Sequence, residues 1–151
     1  MSHVRLSRKS QYGALIPHGR ASLVIGLEPM ETVRVLGEYG NPEVSTILNV
    51  RPAPPLDVIV GNRLYPELER VKVAARELSA RSWHIDATGI SLELGSPILT
   101  NMVMIGALLQ SGELDLTQDE VESAIHETFP ASAVEMNVRA TVRGSAEVRV
   151  L

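Results

Sequence analysis

The chain contains no cysteine and very few aromatic residues. Its 151 residues include one tryptophan, one phenylalanine and three tyrosines, while 44% of them are hydrophobic. Without a thiol, the chain cannot form a disulfide, hold an iron–sulfur cluster or an all-thiolate zinc site, or use a cysteine nucleophile. So few rings also leave no platform on which nucleic-acid bases could stack. We therefore predict a core of aliphatic side chains and place any thiolate chemistry in a partner.

Charge and hydropathy exclude two further classes of protein. The net charge is −4, and the lysines and arginines are scattered without forming a basic stripe, so a nucleic acid is not an expected partner. No segment approaches the roughly 18 consecutive apolar residues of a membrane-spanning helix, and the N-terminus lacks the apolar region of a signal peptide. The length and composition suit one soluble, cytoplasmic domain without a membrane segment.

The sequence shows no catalytic or metal-binding motif of its own. Its four histidines, His3, His18, His84 and His126, form neither an i, i+4 pair nor a cluster with nearby acids, so we interpret them as structural or exposed. No Ser/His/Asp order, glycine-rich phosphate loop or HExxH pattern occurs. We therefore predict no catalytic residue and no metal ligand in this chain.

Short apolar runs alternate with segments of helical period, which is typical of βα units on a mainly parallel sheet. The predicted strands are residues 2–6, 21–27, 45–50 and 82–86. The first alternates weakly and suits an edge of the sheet. The second is continuously apolar, which predicts a central strand that is covered on both faces.

Three helices have clear start or stop signals. Pro29 suits the first turn of a helix that ends at Gly37 or Gly40, and Pro66 begins an amphipathic helix. Thr117 and the glutamate three residues later form a capping box for a helix that Pro130 stops. A further, strongly apolar helix is predicted around residues 98–109.

Asn101 is the one amide in that apolar helix. Its neighbours predict burial, where an unpaired amide costs a few kcal/mol, so we expect its amide to have hydrogen-bond partners. The simpler interpretation is a core asparagine that tethers a neighbouring loop. Direct contact with a ligand is the alternative.

Polar residues follow three of the predicted strands. Glu28 and Asp86 each precede a helix start, where a carboxylate caps exposed N–H groups without any catalytic role. Asn49 and Arg51 lie at the start of a stiff loop that has three prolines in residues 51–55. Because open α/β sheets place ligands at the carboxyl ends of their strands, Arg51 is the best candidate for binding an anion. A loop that merely crosses the surface is the alternative.

Four segments, taken in order, resemble one protein family. They are residues 12–36 (YGALIPHGRASLVIGLEPMETVRVL), 47–55 (ILNVRPAPP), 86–109 (DATGISLELGSPILTNMVMIGALL) and 134–140 (VEMNVRA). Each motif is short, but their common order and spacing make the joint resemblance specific. The chain resembles the gamma-type domain of the 2-oxoacid:ferredoxin oxidoreductases, and within that family it is most similar to the small beta subunit of indolepyruvate ferredoxin oxidoreductase.

This resemblance implies a Rossmann-like three-layer α/β sandwich over residues 1–144, followed by a C-terminal tail at 145–151. It implies an accessory subunit that docks on a large subunit carrying thiamine diphosphate and iron–sulfur clusters. The complete enzyme would decarboxylate indolepyruvate or another aryl pyruvate, pass electrons to ferredoxin and form an acyl-coenzyme A, while this chain binds no cofactor. Six residues in the matching segments are assigned structural or interface roles at strand ends, namely Glu28, Asn49, Arg51, Asp86, Thr88 and Asn101.

One departure from the family pattern affects the fold. Relatives have a strand, a GxGGQG-type loop and a helix before the part that matches residues 2–5, so the domain is expected to be N-terminally truncated. Loss of a central strand would leave the strand at 21–27 with an unpaired edge, completed by another protomer or by a rearranged strand at 2–6. A homo-oligomer therefore remains possible. The alternatives in function are a stand-alone module that binds a nucleotide or coenzyme A, and a structural protein without a ligand.

Overall fold

A computed structural model of the chain describes residues 1–7, 13–54, 56–62 and 64–150. Within them, strands and helices alternate in the first half of the chain and helices dominate the second. In order, the elements are β1 (Leu23–Gly26), α1 (Pro29–Tyr39), β2 (Ser45–Asn49), α2 (Leu56–Ile59), α3 (Leu68–Glu77), β3 (Arg81–Ile85), α4 (Ala87–Glu93), a 3-10 turn (Pro97–Leu99), α5 (Thr100–Ser111), α6 (Gln118–Thr128), α7 (Ala131–Glu147) and β4 (Arg149–Val150).

The strands form one sheet in the order β1-β2-β3-β4. The pairs β1–β2 and β2–β3 are parallel, and the short β4 pairs antiparallel with β3. One face of the sheet packs through Ile47, Trp83 and Ile85 against α4 to α7, and the other packs through Val24 and Leu48 against α1 and α3. This three-layer α/β sandwich with a mainly parallel sheet confirms the predicted fold class.

Three of the four predicted strands are present with small changes in their bounds. The prediction that residues 21–27 form a central strand is wrong, because β1 lies at one edge of the sheet. Ile25 is 42% exposed and Leu27 is 50% exposed, so the apolar run is only partly covered. Apolar composition indicates how much surface a strand could bury. How much of that surface is buried depends on the elements that lie next to the strand in the fold.

The predicted strand at residues 2–6 is also wrong, since residues 1–7 form no strand. Val4 and Leu6 are each more than 70% exposed, so the apolar side chains of this alternating segment do not pack against the rest of the domain. His3 fixes the segment in another way, because its Nδ1 accepts a hydrogen bond from the Ile16 N–H at 3.1 Å. Its ring also packs edge-on against Tyr39.

The helix signals agree well with the structure. Helix α1 begins at Pro29 and ends before Gly40, whose N–H donates to the Leu36 carbonyl. Thr117 caps α6 in a complete capping box with Glu120, as predicted. Helix α3 begins at Leu68, two residues after Pro66, so the sequence placed its start slightly early.

Helices α5 and α7 pack unusually closely because each has a glycine at the crossing. A Cβ on Gly106 would collide with the Thr141 carbonyl of α7, and one on Gly144 would collide with the Val103 carbonyl of α5. Only glycine allows two backbones to approach this closely. The predicted boundary after residue 144 falls within α7, and the division into a domain and a tail stays a prediction.

Among the described residues, no helix combines the length and the apolar character needed to cross a membrane.

Candidate functional site

The candidate site lies where the parallel strands end, at what is here called the carboxyl edge of the sheet. Asn49, the last residue of β2, is 1% exposed and joins the end of β2 to the residue after β1 and to the first turn of α4, which follows β3. Its Nδ2 donates to the Leu27 carbonyl and to the Thr88 hydroxyl, both at 2.9 Å, and its Oδ1 accepts from the Thr88 N–H at 3.4 Å. Both amide hydrogens and one lone pair of Oδ1 are used in these bonds, so Asn49 holds the site together.

Glu28 lies beside this bridge and caps helix α1. Its Oε2 accepts from the Glu31 N–H at 2.8 Å, as the sequence predicted for a carboxylate at a helix start. Its Oε1 accepts a hydrogen bond from the Tyr65 hydroxyl and a long one, at 3.5 Å, from the Ala53 N–H. Burial, followed by the bond to Glu28 and its charge, raises the pKa of the Tyr65 hydroxyl, which therefore stays protonated and donates. Oε2 of Glu28 therefore caps α1, while Oε1 holds the loop against the end of β1.

Asp86 and Arg51 form the exposed part of the site. Asp86 caps α4, and its Oδ1 accepts from the Gly89 N–H at 2.7 Å, again as predicted. Its Oδ2 lies 3.7 Å from Nη1 of Arg51, and both side chains are about half exposed. The best anion candidate is therefore already paired with an acid. A pair this exposed contributes little to stability, so Arg51 can exchange Asp86 for another partner at small cost.

Asn101 lies apart from these five residues. Its burial was predicted, but the residue is exposed, and no hydrogen bond joins it to the other candidates in the part of the chain that the structure describes. Helix α5 is buried on most sides, and Asn101, Ile105 and Leu109 form its least covered stripe at a spacing of four residues. The buried amide of this helical layer is Asn137 of α7, whose Nδ2 donates to the Ala133 carbonyl at 2.8 Å. An interface role for Asn101 stays a prediction.

The polar side chains at the carboxyl edge hold the ends of strands and the starts of helices in place. The Tyr65 hydroxyl, which contacts the Glu28 carboxylate at this edge, has a raised pKa and stays protonated, and the described residues contain no group of three metal-capable side chains. Asn49 and Glu28 therefore form a hydrogen-bonded frame, and Arg51 and Asp86 lie beside it with about half of each side chain exposed. Tyr65 was not predicted as a site residue. It lies 37 residues after Glu28 in the chain, and no motif around it indicates that the fold brings the two side chains into contact. Tyr12 and Pro55, which belong to the segments that carried the resemblance, lie outside the described residues.

The fold and the site together define a Rossmann-like α/β domain with a polar carboxyl edge. A family model described as pyruvate ferredoxin/flavodoxin oxidoreductase matches residues 1–147. The chain belongs to this family, which confirms the resemblance inferred from its sequence motifs.

Individual relatives agree with this membership. The indolepyruvate oxidoreductase subunit IorB of Pyrococcus horikoshii is 35% identical over 130 residues, which cover 85% of this chain and 64% of that protein. The subunit of the same name from Archaeoglobus fulgidus is 33% identical over 142 residues, covering 94% of this chain and 69% of that protein. The chain thus spans 64% of the length of the first relative.

A solved structure supports the fold. The pyruvate oxidoreductase subunit PORC of Thermotoga maritima superposes with a TM-score of 0.61, covering 85% of this chain and 64% of that chain. At 20% identity, this similarity is evidence for the fold alone.

Proposed function

We propose that this chain is an accessory subunit of a cytoplasmic 2-oxoacid:ferredoxin oxidoreductase. The complete enzyme would oxidatively decarboxylate indolepyruvate or another aryl pyruvate, form an acyl-coenzyme A and reduce ferredoxin. The family match over residues 1–147 carries this proposal. The relatives named as indolepyruvate oxidoreductase subunits, which are 30% to 35% identical, support the aryl pyruvate as substrate.

The residues of this chain do not fit the cofactors of such an enzyme. A thiolate-held iron–sulfur cluster needs cysteine, and the chain has none. The metal ion that accompanies a diphosphate prefers grouped oxygen ligands, and the described residues contain no group of three acids or histidines. We therefore assign thiamine diphosphate and the clusters to a large partner subunit, and coenzyme A to the complete complex.

An exposed apolar surface supports docking on such a partner. Large apolar side chains in the connection between β2 and α3 are 58% to 96% exposed, and we call them the apolar connection: Leu56, Ile59, Val60 and Leu64. The connection follows Ala53, whose N–H bonds to Glu28, and it precedes Tyr65, which bonds to the same carboxylate. The apolar connection is therefore attached to the carboxyl edge at both ends. Several exposed large apolar side chains within one short connection are typical of a protein interface.

The test is co-expression with a large thiamine-diphosphate and iron–sulfur subunit of a 2-oxoacid:ferredoxin oxidoreductase from the same organism. We expect the two chains to co-elute in size-exclusion chromatography and to reduce a dye in the presence of indolepyruvate, and we expect lower turnover when this chain is omitted. A chain that elutes alone and leaves turnover unchanged would contradict the proposal. Binding of a nucleotide or of coenzyme A by the isolated chain, without co-elution, would instead favour the stand-alone module.

A further inference from the structure

Residues 56–62, which we call the arm, form a small folded unit between β2 and α3. The single turn of α2 is followed by Gly61, whose φ of 81° lies in the left-handed region. The Gly61 N–H donates to the Val58 carbonyl at 3.0 Å, and the Asn62 N–H donates to the Asp57 carbonyl at 2.9 Å. These two bonds are the Schellman pattern of a helix end, so the arm has a defined internal geometry.

The arm is not packed on the domain. No residue of α2 is buried, and Ile59 and Val60 are 70% and 58% exposed. Among the described residues, no hydrogen bond or ion pair joins the arm to the rest of the domain. A single helical turn is unstable in water by itself, because fixing its backbone costs more than its few hydrogen bonds return. The order of the arm therefore comes from contacts at its two ends.

Both ends of the arm are attached to one oxygen of Glu28. Its Oε1 accepts from the Ala53 N–H, which precedes the arm, and from the Tyr65 hydroxyl, which follows it. At 3.5 Å the Ala53 contact is at the limit of a hydrogen bond, whereas the Tyr65 contact is a charge-assisted bond to a carboxylate. Tyr65 is therefore the stronger of the two attachments.

The other oxygen of Glu28 keeps the carboxylate in place independently of the arm. Oε2 accepts from the Glu31 N–H at 2.8 Å and caps α1. The backbone of Glu28 is fixed as well, since its carbonyl accepts from the hydroxyl and the N–H of Thr32. Glu28 therefore stays in the same position whether or not Tyr65 is bonded to it.

We propose that Tyr65 and Glu28 form a latch that orders the arm, and that opening of this one bond releases the arm while the rest of the domain stays folded. The closed latch holds Ile59 and Val60 in one position at the carboxyl edge. A protein that docks on these side chains then does not have to order them, which lowers the entropic cost of binding. The latch is a property of the chain itself and does not depend on the identity of that protein.

The test is the backbone order parameter of the arm, measured at Gly61 and Asn62 by ¹⁵N relaxation on the unmodified chain and on Tyr65→Phe. We expect about 0.8 in the unmodified chain and less than about 0.6 in Tyr65→Phe, because that variant lacks only the hydroxyl of the latch. The Glu31 amide, which reports on the cap of α1, should keep its value. Tyr39→Phe is the matched control, since it removes a tyrosine hydroxyl at the opposite end of α1, and it should leave the arm unchanged.

Glu28→Asp tests the latch from its other side. Aspartate is a preferred N-cap residue, so α1 keeps its start, but the side chain is one methylene shorter and no longer reaches Tyr65. We expect the same loss of order in the arm as in Tyr65→Phe. Combining the two substitutions should produce no further loss, since each removes the same bond.

An arm that is as ordered in Tyr65→Phe as in the unmodified chain would overturn the inference. An order parameter already below about 0.6 in the unmodified chain would also overturn it, because the latch would then order nothing. A further loss in the combined variant would show two independent attachments and would contradict a single latch. These measurements need no partner, so the proposed function can fail while the latch stands, and the latch can fail while the proposed function stands.

Discussion

Asn49 and Asn101 have the same side chain but opposite environments. Asn49 is buried and connects β1, β2 and the start of α4 through its amide, whereas Asn101 lies on the exposed stripe of α5. Of these two asparagines, only Asn49 should therefore contribute to the stability of the carboxyl edge.

Replacing Asn49 by leucine should lower the free energy of unfolding by about 1–3 kcal/mol, because the Leu27 carbonyl and the Thr88 N–H would be left without their partner. Denaturant unfolding followed by circular dichroism measures this change. Asn101→Leu is the matched control and should change stability by less than about 0.5 kcal/mol. A larger loss for Asn101→Leu than for Asn49→Leu would contradict the assigned roles.

His84 is a buried histidine, and its lowered pKa keeps it neutral near pH 7. Its Nε2 lies 3.0 Å from the Ser82 hydroxyl, and Nδ1 has no partner among the described residues. Burial, followed by the positive charge of Lys72 on α3, lowers the pKa of His84 from 6.5 to about 4. Glu69 and Arg76 of the same helix act in opposite directions on this pKa.

This lowered pKa predicts a pH-dependent stability. Between pH 6.5 and about 4, the unfolded chain binds a proton at His84 that the folded chain does not, so stability falls as the pH drops. The loss should reach at most about 3 kcal/mol and should be absent above pH 7. Unfolding midpoints across this range, compared between the unmodified chain and His84→Gln, isolate the contribution. The exposed His126→Gln should keep the full dependence, and a variant at position 84 that also keeps it would refute the assignment.

Helices α5 and α7 can pack closely only because each has a glycine at the crossing, although glycine has a low helix propensity. Gly106→Ala should improve helix propensity, but its Cβ would meet the Thr141 carbonyl. We expect a net loss of about 1–3 kcal/mol, because one of the two helices must move.

Gly37→Ala provides the matched control in α1, where nothing lies within 4 Å of an added Cβ. It should raise the free energy of unfolding by about 0.5–1 kcal/mol through propensity alone. Thermal unfolding of both variants measures the difference. A stabilising Gly106→Ala would show that the two helices are less closely packed.

At the level of the whole molecule, the apolar connection should control assembly without supporting the fold of the isolated chain. The double substitution Ile59→Asp and Leu64→Asp places charge on side chains that are 70% and 96% exposed. The unfolding transition should barely move, while affinity for the large subunit should fall by at least about tenfold, measured by titration or co-elution. Val142→Asp, on the half-exposed face of α7, serves as the control and should leave assembly intact. If the double variant binds the large subunit with unchanged affinity, the apolar connection is not part of the interface.

Some elements could be predicted because their signals are local. The caps of α1 and α6 depend on residues within four positions of each other, so the sequence placed them correctly. Helix α7 gave no such signal, since its buried face consists of Asn137, Ala140, Thr141 and Gly144, which are small or polar. Hydropathy does not detect a face that packs through its backbone.

The sequence by itself determined the aliphatic, cysteine-free core, three strands, the capped helices and the family motifs. Tertiary structure alone decided that β1 is an edge strand, that Asn101 is exposed and that Glu28 meets Tyr65. The partners of Asn49 and Glu28 at the carboxyl edge lie 22 to 39 residues away along the chain. The physical reason is the distance along the chain over which each interaction acts. Helix caps and hydrophobic periodicity involve residues within a few positions of each other. Burial and the pairing of distant side chains depend on which surfaces the packed layers bring together.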